Sequence, residues 1–277
     1  MRPILWQVGP LQIYAYGFFL ALAFLVATYF AATTAKERGI NPDHVTDLAL
    51  IACIASLIGA RLGFVLLEFP YYRLYPIEIL RLSEGGLSFH GGLILGVAAG
   101  IWFCRRKQIS PWQMADLVAP AVALGTAIAR IGCLLNGCCY GYITELPIGL
   151  PVALGDPSLR HPTQIYSSVL NLLLFIYLYQ RRHHGRFDGY LGLVYLILYS
   201  VLRSIVEIFR ESRPLFGPIK VAQAFSFLVI IGAALTIYLV EQHQRVAHGG
   251  NAPAEVEAEE KRSKAGVSGS GSGNRGR

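Results

Sequence analysis

Charge is what this chain has least of. Lys, Arg, Asp and Glu make up 15% of its 277 residues, against roughly a quarter in an average soluble domain, which excludes an ordinary soluble globule. The charges are also kept out of long stretches. None lies between Arg2 and Lys36, between Glu84 and Arg105, between Arg160 and Arg181, or between Lys220 and Glu241, and such gaps match the ~20 residues a helix needs to cross a bilayer. Phosphate-binding loops, dinucleotide fingerprints, HExxH and GxSxG are missing as well, so ATP-driven chemistry and the common serine-hydrolase apparatus have no support. There is no fixed-period repeat.

What is present is apolar: 54% of the residues are hydrophobic and the mean hydropathy is +0.47. Seven segments are long enough to span, at about Ile13 to Thr34, Leu48 to Leu67, Leu87 to Cys104, Leu117 to Leu135, Pro162 to Gln180, Gly189 to Phe209 and Val221 to Val240. Backbone polar groups without partners are intolerable in lipid, so the expected fold is all-α, a polytopic bundle of about seven transmembrane helices with an outer loop region. The first segment is too long for a signal-peptide core and lacks a strongly basic lead, and is read as retained.

The net charge of +7 follows membrane topology rather than a nucleic-acid face, because the basic residues sit in short clusters beside apolar blocks. Compact turns after the first, third and fifth segments carry Lys36 and Arg38, then Arg105, Arg106 and Lys107, then Arg181, Arg182 and Arg186. These turns are expected to face the cytoplasm, which puts the N-terminus and the two longest loops outside. Past Val240 the composition turns to Ala, Glu, Lys and Arg and then to a Gly-Ser run. Residues 1–242 are therefore expected to form the seven-span transmembrane domain and 243–277 a disordered cytoplasmic tail.

Several charges do lie inside apolar sequence: Arg61, Arg130, and Arg203 with Glu207. A charge at a helix centre costs roughly 2.5–3.5 kcal/mol on insertion scales, so these residues must face one another or a wet cavity. Tyr199, Arg203 and Glu207 recur at helical spacing, with Arg210 further along the same stripe. Glu207 is placed to hold the Arg203 guanidinium in one rotamer and leave its other donors for an anion, since a planar fork suits phosphate oxygens; a satisfied internal ion pair is the plainer alternative. His90 opens the third segment in Leu-Ser-Phe-His-Gly-Gly-Leu. The two glycines after it admit another backbone or a lipid head group, and the imidazole titrates nearest neutrality. His161, in His-Pro-Thr-Gln-Ile-Tyr, reads more readily as a loop residue or cap.

Cys133, Cys138 and Cys139 gather in Arg-Ile-Gly-Cys-Leu-Leu-Asn-Gly-Cys-Cys-Tyr-Gly. A disulfide, a metal or a nucleophile are the functional readings. The C-x4-C-C spacing is not the paired C-x2-C of structural zinc, and vicinal cysteines are awkward ligands and disulfide partners. Small packing residues at an Asn-Gly turn is the leading reading, with no metal.

Taken together these motifs resemble the bacterial prolipoprotein diacylglyceryl transferases. The likeness runs in family order from Ala15-Tyr-Gly through Gly59-Ala-Arg-Leu-Gly-Phe-Val, Ser88-Phe-His-Gly-Gly-Leu, Arg130-Ile-Gly with Asn136-Gly137 and Gly141, His161-Pro-Thr-Gln-Ile-Tyr, and Tyr199, Arg203, Glu207 and Arg210, to Gln223 and Ser226. It covers about residues 10 to 240. The resemblance implies transfer of the diacylglyceryl group of phosphatidylglycerol to the lipobox cysteine of a prolipoprotein, in the bacterial inner membrane, with no cofactor and no nucleic-acid partner, by a monomer. Three positions depart from the family pattern: Cys133 stands where Asn is typical, Cys138 where Glu is typical, and Ser167 where a Glu commonly follows the His161 motif.

In such chemistry a thiol attacks a glycerol carbon and a phosphate ester leaves, which calls for a base and fixed cations. His90 is the candidate base, and Arg130 and Arg203 the candidate phosphate clamps. Glu207 and Tyr199 are assigned to orient Arg203. By resemblance Tyr16, Asn136 and Gly141 join the substrate site, with Arg61, His161 and Gln164 as further binding positions. Two other readings remain: a thiol oxidoreductase built on Cys133, Cys138 and Cys139, and an anionic-lipid binder or transporter using Arg61, Arg130 and Arg203.

Overall fold

The computed structural model describes residues 3–9, 11–81, 85–152, 155–211, 214–216 and 219–249. Seven long helices dominate it: α1 Ala15–Ala35, α2 Pro42–Leu67, α4 Phe89–Arg106, α5 Pro111–Leu135, α6 Thr163–Arg181, α7 Tyr190–Phe209 and α8 Val221–Gly249. A short helix α3, Phe69–Leu74, follows α2. Starts and stops follow local chemistry. Asn41 accepts from Asp43 N–H at 3.0 Å ahead of Pro42, Ser110 caps α5 ahead of Pro111, and Gly39 at φ 69° ends the turn after α1.

Five of these helices, α1, α2, α5, α7 and α8, are both long and apolar enough to cross a membrane. All seven long helices occupy the expected segments. The other two have the length, but α4 ends on Arg105 and Arg106 and α6 buries Gln164, Ser167 and Asn171. An all-α polytopic membrane protein stands on either count. Large apolar side chains such as Leu25, Tyr29, Leu66 and Ile94 are exposed, the reverse of a water-soluble surface.

Small residues set the helix contacts. A Cβ on Gly91 would lie 2.3 Å from Gly59 O, and one on Gly59 would lie 2.5 Å from Gly91 O, so the α2 and α4 backbones touch. Gly125 and Gly132 give α5 the same intimacy with Ala27 and Phe19 of α1. The helix α5 is the hub, with α1, α6 and α7 packed on it, and its own Asp116 accepts from Gly189 N–H (2.9 Å) and Gly192 N–H (2.8 Å) to cap α7.

Two small hairpins were not foreseen. Strands β1 Ile4–Val8 and β2 Leu11–Tyr14 pair antiparallel before α1, and β3 Pro214–Phe216 pairs with β4 Ile219–Lys220 before α8. The first compact unit ends at Ile230, within α8. That helix runs to Gly249, seven residues past the expected domain boundary, and the rest of the expected tail, 250–277, lies outside the described residues.

Candidate active site

The end of α5 carries the first half of the site. Asn136 N–H closes the helix on Gly132 O at 3.0 Å, then Gly137 (φ 65°) and Cys139 (φ 64°) turn the chain through left-handed conformations. That region is uncommon for a residue other than glycine, and α6 holds it in place. Thr163 Oγ1 donates to Cys139 O at 2.6 Å and Gln164 Nε2 donates to Cys138 O at 2.7 Å. Gln164 is almost fully buried, and its Oε1 has no partner among the described residues. The sulfurs of Cys133, Cys138 and Cys139 lie within 4.8 Å of one another.

The second half is the end of α7. Glu207, 2% exposed, forms an ion pair with Arg203 one turn earlier, and Arg210 Nη1 lies 4.0 Å from the same carboxylate oxygen. Lys220 folds back from β4 to donate its Nζ to Glu207 O at 2.5 Å and to Arg210 O, beneath the Tyr142 ring. The loop after α5 joins the halves. Gly141 N–H donates to His161 O (2.9 Å), Tyr142 N–H to Phe209 O (2.9 Å), and Gly141 faces Arg210 in an antiparallel bridge. A Cβ on Gly141 would meet Phe209 O at 2.4 Å and His161 Cβ at 2.7 Å; only glycine fits.

The intramembrane arginines have three different employments. Arg61 is buried and spends its donors on main-chain carbonyls of Glu78, Ile79, Arg81, Gly85 and Gly86. It clamps the loop between α2 and α4. Arg203 belongs to Glu207. Arg130 is half-buried, and among the described residues no hydrogen bond or carboxylate holds it. It lies within electrostatic reach of Tyr16 and Cys139, and Arg210 reaches Cys139 as well.

His90 occupies the first turn of α4, exposed, its ring edge-on to Phe89 at 5.7 Å and to Phe225 at 6.2 Å. The room provided by the glycines after it is taken by the α2 backbone. Tyr199 stacks on Tyr195 at 5.6 Å and packs against the cluster of Ala123, Leu174 and Leu178. No hydrogen bond joins it to Arg203 among the described residues; of the two residues expected to orient that guanidinium, Glu207 is the one paired with it. His161 Nδ1 lies 3.2 Å from Tyr166 Oη, with its ring on Phe209.

Lys220 is the residue that sequence reasoning missed. Its only signal is that it is the last charge before a long apolar block; the fold-back onto α7 is set by tertiary structure. Outside the helices, Arg160 bridges Asp156 (3.1 Å) and Glu211 (2.8 Å). The Ser158 hydroxyl and N–H, and then Arg160, hold the Asp156 carboxyl below the usual carboxylate range.

A family model described as prolipoprotein diacylglyceryl transferase matches residues 3–239. The chain belongs to that family. Relatives named phosphatidylglycerol–prolipoprotein diacylglyceryl transferase include one from Clostridium tetani, 36% identical over 84% of this chain and 95% of that one. Another, from Synechococcus elongatus, is 36% identical over 82% and 83%, and one from Staphylococcus saprophyticus is 35% identical over 85% and 88%. As a diacylglyceryl transferase family member the chain also offers an apolar cavity of ≈ 620 Å³ among α1, α2, α4 and α5, lined by Phe24, Ala27, Ala52, Ser56, Leu93 and Val118 among others. That is within the usual range for small-molecule sites.

Proposed function

We propose that this protein transfers the diacylglyceryl group of phosphatidylglycerol to the lipobox cysteine thiol of prolipoproteins. The thiolate sulfur bonds to the glycerol carbon, the carbon–oxygen bond to phosphate breaks, and glycerol phosphate leaves; the thiol proton goes to a base. Family membership supports the reaction class, and Arg130 is the observation that carries the site. A guanidinium half-buried among apolar helices, with no carboxylate partner among the described residues, is costly unless an anion completes it. The phosphate of an anionic lipid is such an anion.

Arg130 then binds the phosphodiester, and Arg203, kept rigid by Glu207, adds its remaining donors as charge develops on the leaving oxygen. Arg210, Tyr16, Asn136 and Gly141 complete the wall. His90, at the exposed start of α4, is the base that accepts the thiol proton. The acyl chains occupy apolar surface such as the α1, α2, α4 and α5 cavity. The protein acts as a monomer in the bacterial inner membrane, N-terminus outside and C-terminus cytoplasmic, with a catalytic domain over 1–242 and a cytoplasmic tail beyond.

Purified protein incubated with phosphatidylglycerol vesicles and a lipobox peptide tests the proposal. Mass spectrometry should find the peptide heavier by one diacylglyceryl group in a bond that resists hydroxylamine. An unmodified peptide with folded protein contradicts it.

A further inference from the structure

Cys133, Cys138 and Cys139 take no part in the proposed transfer, yet the fold gathers them. We propose that their three thiols form a binding site for a soft monovalent metal ion, Cu(I). The sulfurs come from the last turns of α5 and from the turn after it and lie within 4.8 Å of one another. An ion about 2.3 Å from each sulfur, the usual metal–thiolate distance, needs sulfurs about 4 Å apart, close to the spacing they already have.

The backbone is already fixed for it. The left-handed φ of Cys139 turns its side chain back toward the helix end, and Thr163 and Gln164 pin the carbonyls of Cys139 and Cys138. As packing residues, neighbouring cysteines would not need a turn through a left-handed conformation held by two part-buried hydrogen bonds. Ligand type and number choose the metal. Among the described residues no histidine or carboxylate joins the three sulfurs at that spacing, so a tetrahedral zinc site is one protein ligand short, whereas all-thiolate coordination suits Cu(I).

Charge agrees. Binding replaces three S–H bonds by three S–Cu bonds and releases three protons, with no change of oxidation state, and leaves a net charge of minus two. Arg130 and Arg210 both act electrostatically on Cys139 and offset part of that charge when no lipid phosphate is bound. Cys53 in α2 and Cys104 in α4 lie outside the cluster.

Anaerobic titration of the purified full-length protein with Cu(I), in competition with bicinchoninate, tests the site. One Cu(I) per chain is expected, with three sulfur neighbours by X-ray absorption. Cys138→Ser and Cys139→Ser should each weaken binding at least hundredfold, while Cys53→Ser leaves it unchanged. Cys133→Ser should do the same as the turn variants; because Cys133 is buried in α5, Cys138→Ser and Cys139→Ser decide the matter where that variant loses its fold. No retained copper, retention unchanged in both turn variants, or tighter binding of Zn(II) than of Cu(I) would overturn the site.

Discussion

Arg130 and Arg203 are both cations among apolar helices, but among the described residues no carboxylate pairs with the first, whereas the second is tied to Glu207. Arg203→Lys keeps the charge and loses the fork. Single-turnover transfer should fall by roughly 10²-fold or more, the scale of losing one preorganised donor. Phosphatidylglycerol affinity on the same variant should fall much less; equal losses would make Arg203 a simple binding residue. Glu207→Gln leaves Arg203 and Arg210 facing each other without their buried carboxylate, and unfolding in detergent should show a loss of about 3–5 kcal/mol, as for other broken buried pairs. His90→Ala should nearly abolish transfer with an unchanged unfolding temperature, since His90 is exposed at a helix start, and raising the pH should restore part of the rate by ionising the substrate thiol unaided. Near-normal activity at neutral pH would return His90 to an interfacial anchor.

The elements show where sequence sufficed. Apolar segments located α1, α4, α6 and α7 to within about two residues at each end, and the start of α8, because apolarity and exclusion of charge are local properties. The hairpins around β1 and β3 were invisible, since Ile4–Val8 merges into apolar sequence without alternation. Arg61 illustrates the limit at the site: an arginine inside a span signals a polar environment, but the carbonyls that surround it come from a loop whose path no pattern reveals. The glycines after His90 were legible as a close approach, though not as an approach by α2. Gly91→Ala follows directly. Its methyl would collide with Gly59 O, so the helices must part, at about 1–3 kcal/mol of stability and a lower unfolding temperature. On the loop between α5 and α6 the depressed Asp156 carboxyl fixes a sign. Its contribution is fully present above the ordinary carboxylate range and is lost as pH falls through its lowered value. Hydrogen exchange of Leu150 and Arg160 amides, corrected for intrinsic rate, should speed up in acid for the native protein and lose that pH dependence in Asp156→Asn.

For the whole molecule, family membership and the converging ends of α5 and α7 favour the transferase. No finding supports the oxidoreductase or the lipid transporter. What separates diacylglyceryl transfer from any other modification of a thiol is the fate of the phosphate. The decisive measurement is therefore ³¹P NMR of the reaction beside peptide mass spectrometry. One glycerol phosphate should appear for each thioether formed, because the carbon–oxygen bond to phosphate is the bond that breaks. A modified peptide without glycerol phosphate, or a hydroxylamine-labile acyl group in place of the thioether, would contradict the account.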